Sequence, residues 1–498
     1  MTMQKKSRKI RDFIFIIICL LAMLIPSLTM IFSSSRWQDA SANEAVAAPT
    51  LTKDGKINKN FLPETGKYFE HHFPLRGKMI SALAHLENTI FSTSPTDQVV
   101  IGKEGFLYYS GTINDYLGRK QLSDSGIENA AYNLKLLEEN LSAQGVQLLV
   151  AIVPNKNTLY PQYMPSRYLA GARENSNLTR LQNALKNKEI KYVDFTQLFS
   201  DSKNVRYLKT DTHWDNQGAY LGAERILNTW KIPNIAAKPK WQLGSGFTGD
   251  LQTMLYPTSK AKEPNWEATG LNSAEPASNK LWHYIGADAR PDAPVDVTAN
   301  LFQTVGAGQK NLYVFRDSFG NALVPMLSPS FHIVNYSKLV PYDISGALRT
   351  QPDFILIERA ERHIAFFATT PPELSIPEPP LTNYELRPAP APLSNTISVQ
   401  KSENFAVLDG LIPPDYQNSD TEVHARIINY GANPQESTAT YYKGFKITTK
   451  EGSDYGYRFY IDNNLIRMAD KVEFYVTSKS LGKFAYLIET MPKNLSTN

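Results

Sequence analysis

Three rhythms of apolar and polar positions divide this chain. The first alternates a helical spacing with solid apolar runs. Ile127, Ala131, Leu134, Leu137 and Leu141 recur every three or four residues and predict one face of a helix. "VQLLVAIV", Val146 to Val153, follows as a nearly unbroken apolar strand. A second helix near Asn175 to Leu185 leads to a strand at Lys191 to Phe195, and Ala219, Ala223, Ile226, Leu227 and Trp230 mark another helical face. "NLYVF" (Asn311 to Phe315), "FHIVNY" (Phe331 to Tyr336) and "DFILIE" (Asp353 to Glu358) are further strands of the fully buried type. Continuous apolar strands separated by amphipathic helices predict an α/β fold, a three-layer parallel sheet with helices on both faces. Upstream, Val99 to Gly111 reads as a β-hairpin, and Ile80, Leu83, Leu86 and Ile90 predict a helix from Pro74 onward. Between Ile232 and Gln309 the rhythm lapses into a polar run rich in Pro, Gly, Ser and Asn. A structureless loop that long is unusual, so about 232–309 is expected to be an insertion packed beside the site.

The second rhythm is strict alternation. It begins after "TTPPELSIPEPPLTNYELRPAPAP", whose prolines favour an extended, semi-rigid linker over 369–392. Beyond it "EVHARIINY", "YYKGFKITTK", "YGYRFYIDNNLI" and "KVEFYVTS" alternate polar and apolar residues, with Gly or Asn at the turns. That pattern predicts an antiparallel β-sandwich over 393–498, and its position and tyrosines make it a candidate carbohydrate-binding module.

The third rhythm is uninterrupted apolarity. "FIFIIICLLAMLIPSLTMIF", Phe13 to Phe32, carries no charge and follows Lys5, Lys6, Arg8, Lys9 and Arg11. Twenty residues at a helical rise span about 30 Å, the thickness of a bilayer core. The basic cluster is expected to stay cytoplasmic, which places the rest of the chain outside as the cell-surface or periplasmic part of a single-pass protein. A cleaved signal peptide would have a shorter apolar region and a small-residue site close behind it. The expected organisation is therefore a tail and signal anchor over 1–35, a tether over 36–66 and a catalytic domain over 67–368.

Composition narrows the function without naming it. The chain has 498 residues, 42% of them hydrophobic, and a formal net charge of +4 that resides largely in the N-terminal cluster. Such a balance gives no footprint for nucleic acid. Its one cysteine, Cys19, lies in the anchor, so the exported part forms no disulfides and relies on its core. Glu70, His71 and His72 form a cluster, but adjacent histidines cannot both face one ion from a regular element, and no third ligand has a suitable spacing. No metal and no cofactor is expected.

Two short motifs carry the candidate chemistry. In "RDSFGNAL", Ser318 follows a predicted strand and opens a predicted helix, where α/β sheets place ligands. There, free backbone N–H groups and the helix dipole would stabilise an oxyanion, although a serine in that position also serves as an ordinary N-cap. In "DTHWDNQG", Asp211 stands two residues before His213, and contact between them requires a turn. Asp215 or Asn216 is the natural cap of the helix that follows. Both motifs fall where strands or their exits run into helices, which puts them on one rim. A serine hydroxyl there is inert until an imidazole takes its proton, and an acid fixes the tautomer of that imidazole.

The pair "TDTHWDNQGAY" and "RDSFGNALVPML" resembles the SGNH-hydrolase-like family of alginate O-acetyltransferases of the AlgX and AlgJ type, and the related DHHW family of anchored bacterial proteins. "YFEHHFPLR", "VVIGKEGFLYYSG" and "PDFILIERAERH" resemble that family's recurring pieces in the same order, so the likeness runs from about Tyr68 to His363. Thr212 stands where the DHHW name has its second histidine, and Arg316 where many SGNH enzymes have Gly. The resemblance implies an extracytoplasmic O-acetyltransferase with a triad at Asp211, His213 and Ser318. It also implies a polysaccharide acceptor and an acetyl donor delivered by an integral-membrane O-acyltransferase of the MBOAT class. Candidate oxyanion donors are the backbone N–H groups of Ser318 and Phe319 and the Asn321 side chain. Trp214, Arg316 and Arg359 are candidate substrate contacts, with Arg362 a further arginine near the rim. A polysaccharide acetyl esterase would use the same triad, and a non-catalytic polysaccharide-binding scaffold would need none.

Overall fold

The computed structural model describes residues 48–269, 300–388 and 398–492, except 54, 73–75, 92, 93, 95, 170–174, 236–238, 403 and 431–436; it adds 13, 15–17 and 20. The expected membrane span falls largely outside the described residues, as does much of the expected insertion. Among the described residues no helix is long and apolar enough to cross a membrane.

Two helices, α1 (Phe61–His72) and α2 (Arg76–Phe91), precede the sheet domain. Its helices include α3 (Asp124–Ala143), α4 (Asn177–Asn187), α5 (Asn216–Trp230) and the short α6 (Asp250–Leu255). The strands of its central sheet are β1 (Gln147–Val153), β2 (Tyr192–Asp194), β3 (Leu301–Val305), β4 (Leu312–Phe315), β5 (Ile333–Ser337) and β6 (Phe354–Ala360). They lie in the order β2-β1-β6-β4-β5-β3, parallel throughout except for the β3–β5 pair.

Period-two geometry explains why β1 reads as a solid apolar run. Leu148, Val150 and Ile152 join the core beneath α3 and α4, while Leu149, Ala151 and Val153 join the core beneath α5 on the opposite face. The helix starts follow ordinary capping: the Ser123 hydroxyl accepts the Gly126 N–H at 2.8 Å, and the Asp215 carboxylate accepts the Gly218 N–H at 2.6 Å. Strand β3 departs from the sequence expectation, which placed it inside the insertion. It is an edge strand with only Phe302 and Thr304 buried, and that two-residue alternation is a faint signal beside the runs of β1 and β6.

The C-terminal part holds strands β7 (Pro377–Glu378), β8 (Glu385–Pro388), β9 (Ser398–Lys401), β10 (Phe405–Leu411) and β11 (Glu422–Asn429). It continues with β12 (Thr438–Lys443), β13 (Phe445–Ile447), β14 (Gly456–Asp462), β15 (Lys471–Thr477) and β16 (Phe484–Pro492). Sheets β7-β12-β11-β15-β16-β8 and β9-β10-β14-β13 enclose a core that includes Leu408, Phe459, Ile427 and Phe474. The proline-rich stretch expected to be a linker supplies both outer strands of the larger sheet, positions where a missing N–H does no harm. The sandwich is not a free module either. Phe405, Phe445 and Tyr460 share the core of α3, and the Asn133 side chain bonds the backbone N–H of Lys446 at 3.0 Å and its carbonyl at 2.8 Å.

Candidate active site

The histidine motif sits on a loop that doubles back on itself. Asp215 N–H donates to the Arg206 carbonyl at 2.8 Å, and Leu208 N–H to the His213 carbonyl at 3.1 Å. At the tip, Asp211 Oδ1 accepts the backbone N–H of His213 at 2.9 Å, the turn that lets an acid and a histidine two residues apart meet. His213 Nδ1 then lies 2.6 Å from the same oxygen. From the rim beyond β1, the buried Lys156 ammonium donates to the carbonyls of Leu208 at 2.8 Å and Lys209 at 3.0 Å, pinning the near arm of the loop. Burial pushes that ammonium down to about 8, against the pull of Asp211, Asp250 and Glu263.

The serine motif reaches the same place from the end of β4. The hydroxyl of Ser318 makes no cap bond; it lies 2.8 Å from His213 Nε2. The continuation differs from the expected helix: Phe319–Leu323 is a 3-10 turn and only Val324–Leu327 is α-helical. The dipole of a long helix is therefore not available at Ser318. Asp317, beside it, accepts the Phe319 N–H at 2.9 Å and the Ala360 N–H at 2.8 Å and faces His363 Nδ1 at 3.2 Å. Burial alone would raise this carboxyl. The His363 bond, the Arg362 charge and the two N–H groups outweigh it and hold Asp317 far below the usual carboxylate range.

The charges around His213 are arranged to favour its protonated form. Burial opposes that charge, but the Asp211 bond, the Asp211 charge and then Asp250 overcome it and raise His213 above 6.5. Burial would likewise raise Asp211, yet His213 and the N–H groups of Asp250 and His213 bring it below its ordinary value. Asp250 lies in the stretch expected to be an insertion, and sequence reasoning missed it. Its N–H donates to Asp211 Oδ2 at 2.9 Å, its carboxylate accepts the Thr212 N–H at 2.8 Å and the Thr212 hydroxyl, and one of its oxygens is 3.8 Å from His213 Nδ1. Burial and the Asp211 charge raise this second carboxyl. Gly249 permits the approach, since a Cβ there would stand 2.2 Å from the Thr210 carbonyl oxygen. The only hint in the sequence is the glycine-rich "GSGFTGD". Asp211, His213 and Asp250 are also the one metal-like grouping among the described residues. Both Asp211 oxygens already accept N–H donors and Nδ1 is turned to Asp211, an arrangement suited to proton handling.

The other expected site residues are placed differently. The Phe319 N–H is committed to Asp317 and is not free for an oxyanion. The Asn321 side-chain oxygen accepts from Arg316. Arg316 itself is fully buried, with its guanidinium 4.9 Å from the Phe302 ring centre, so it braces the turn from within rather than meeting substrate. Arg359 points to the far side of β6, over Tyr342 and Phe366. Trp214 is buried, edge-on to Phe195 and Phe319, and its indole N–H donates to the Phe319 carbonyl at 3.2 Å. It ties the histidine loop to the serine turn. Arg362 is the arginine that faces the site, 5.5 Å over the Phe319 ring.

The fold is SGNH-hydrolase-like: an α/β sheet with an acid, an imidazole and a hydroxyl placed together on its rim. More particularly, residues 99–280 match the family described as SGNH hydrolase-like domain, acetyltransferase AlgX; that stretch includes Asp211, His213 and Asp250 and ends before Ser318. The probable alginate O-acetylase AlgJ of Pseudomonas aeruginosa is 26% identical over 187 residues, 36% of this chain and 44% of the relative. The AlgJ of Pseudomonas syringae is 28% identical over 347 residues, 65% of this chain and 82% of the relative. The chain thus spans less than half of the first relative and most of the second. Among solved structures, Bacillus cereus PatB1 is similar at 17% identity and a TM-score of 0.42, covering 53% of this chain and 96% of that chain.

Proposed function

We propose that this chain is a serine-dependent O-acetyltransferase that acetylates hydroxyl groups of a secreted or cell-wall polysaccharide. The observation that carries the reading is the relay itself, Ser318 Oγ 2.8 Å from His213 Nε2 and His213 Nδ1 2.6 Å from Asp211. In the first half-reaction His213 Nε2 takes the hydroxyl proton as Oγ bonds to the acetyl carbonyl carbon. The donor's leaving oxygen departs with that proton, and an acetyl-serine remains. In the second half, His213 takes a proton from a sugar hydroxyl, whose oxygen attacks the acetyl carbon, and Ser318 leaves reprotonated. Asp211 holds the Nδ1 tautomer and stabilises the imidazolium formed in each half.

On this reading the apolar 13–32 stretch anchors the chain with its N-terminus in the cytoplasm, and an integral-membrane O-acyltransferase of the MBOAT class delivers the donor. The sandwich would contribute to polysaccharide binding. The AlgJ relatives support the acetylation chemistry, and the short hydroxyl–imidazole contact weighs against a purely binding scaffold. A second reading, acetyl ester hydrolysis, has one observation in its favour: the His213 side chain is 25% exposed, so water can reach it.

The test is the full chain and its Ser318→Ala variant, incubated with an acetyl-ester donor and an oligosaccharide. Loss of turnover by roughly three to six orders of magnitude, with an unchanged melting curve, is expected. Turnover within tenfold of the parent would sink the serine mechanism. Free acetate without acetylated oligosaccharide would make the protein an esterase.

A further inference from the structure

Helix α2 is built inside out. Met79, Leu83 and Leu86, spaced to share one face, are 53%, 47% and 55% exposed. Among the described side chains, those that meet the domain are small or polar instead. The buried Ser81 hydroxyl accepts from the Thr258 hydroxyl at 3.0 Å, and a Cβ on Gly77 would lie 3.3 Å from Thr258 Cγ2. Helix α1 repeats the anomaly: Leu62 and Phe69, seven residues apart, are both exposed. The spacing of Leu83 and Leu86 that predicts a helix in the sequence therefore faces away from the domain. A surface helix ordinarily turns such a stripe inward, and leaving it in water is unfavourable.

We propose that α1, α2 and the turn before them lie on an anionic lipid surface. Two observations favour lipid as the cover. Between 51 and 86 the sequence carries Lys53, Lys56, Lys59, Lys67, Arg76 and Lys78 against Asp54, Glu64 and Glu70; the five lysines are exposed, and Glu64 is half-buried and bonded to Asn58. Exposed lysines beside an apolar stripe suit the headgroup boundary of an anionic bilayer, where such a face sinks about 5–10 Å. The uncharged run ending at Phe32 also lies only 18 residues before Leu51. At no more than about 3.5 Å per residue, a stretch of that length spans at most about 60 Å. This step rests on the proposed anchor, and it sets the distance between bilayer and site. Helix α2 leans on Pro257 and Thr258, just beyond α6, and α6 begins at Asp250 beside Asp211. Six helical residues span about 9 Å and α2 itself is about 10 Å thick, so the site stands roughly 20 Å above the membrane, facing where a donor emerging from it would arrive.

The experiment uses the full chain with Cys19→Ser, reconstituted into phosphatidylglycerol–phosphatidylcholine vesicles. An environment-sensitive fluorophore is placed at Leu86→Cys or, in a second protein, at Leu20→Cys. Melting curves matching the parent establish folding. At position 86 the expected result is a blue shift and a loss of emission to lipids spin-labelled near the headgroup, larger than the loss to lipids labelled at the chain end. High salt should reduce that loss at position 86 and leave position 20 unchanged. Water-like emission at 86 alongside quenching at 20 would overturn the docking and leave the anchor standing. A blue shift at 86 without lipid quenching would also overturn it, because another copy of the chain would then be the cover. Absence of quenching at 20 would refute the anchor, and quenching at 86 would still decide whether the helices bind lipid.

Discussion

His213 has two carboxylates at one ring nitrogen, Asp211 at 2.6 Å and Asp250 at 3.8 Å, and they differ in what surrounds them. Asp211 is lowered by its donors, whereas Asp250 is raised by burial and by Asp211. The first is a fixed anion that orients the ring, and the second adds charge and holds the loop through Thr212. Proton abstraction needs neutral imidazole, so activity should rise with pH through a midpoint above 6.5. Asp211→Asn should cost about three to four orders of magnitude in rate through loss of the tautomer. Asp250→Asn should cost only about tenfold and move the midpoint to lower pH, because a charge favouring imidazolium is gone. A pH–rate series on the three proteins checks both. Stability should move the opposite way to activity. The folded value of His213 is raised, so its contribution is full below about 6.5 and is lost as pH rises through the folded value.

Among the elements, the site depends on backbones packed closer than a side chain would allow. Gly249 lets the start of α6 rest on Thr210, whose carbonyl accepts the Gln252 N–H at 3.0 Å. Gly249→Ala should push α6 away and reproduce the pH shift of Asp250→Asn without altering any titratable group. A parent-like profile would mean that the loop holds Asp250 by other means. The long helices and solid strands of this domain were legible because burial on one stripe or two faces leaves a strong period. Three features were not. Edge strand β3 is half-exposed, the turn after Ser318 is fixed by Arg316, Glu358 and Asp317 rather than by its own sequence, and α6 is six residues long. The inside-out α2 shows the further limit that periodicity finds a stripe without saying which way it faces.

For the whole molecule, sheet domain and sandwich share a core through Phe405, Phe445 and Tyr460, and should therefore unfold together. Asn133, on α3, closes the seam with two hydrogen bonds, to the Lys446 N–H and the Lys446 carbonyl, and bonds the Phe367 carbonyl within its own domain. Asn133→Ala strands buried backbone groups and should lower stability by about 2–4 kcal/mol, read by chemical denaturation. Parent and variant should each unfold in a single transition. Two separated transitions in the parent would show that the seam is weaker than its packing implies. The proline-rich segment belongs to this scale too. Its composition reads as a linker, but edge positions of a sheet accept proline, and only the partner strands β12 and β16 reveal that it is used that way.

The pattern of apolar and polar positions by itself determined the layered α/β architecture and the sandwich, whereas the three relay residues were expected from two short motifs together with their resemblance to a known family. The architecture rests on local information, a period set by burial. Tertiary structure alone decided which arginine faces the site, that Phe319 N–H is spoken for, that Trp214 is buried, and that Asp250 stands behind the histidine. Those outcomes depend on which face of a strand, turn or helix meets which neighbour, and a contact such as that of Asp250 with Asp211, across 39 positions, leaves no trace in either stretch read alone.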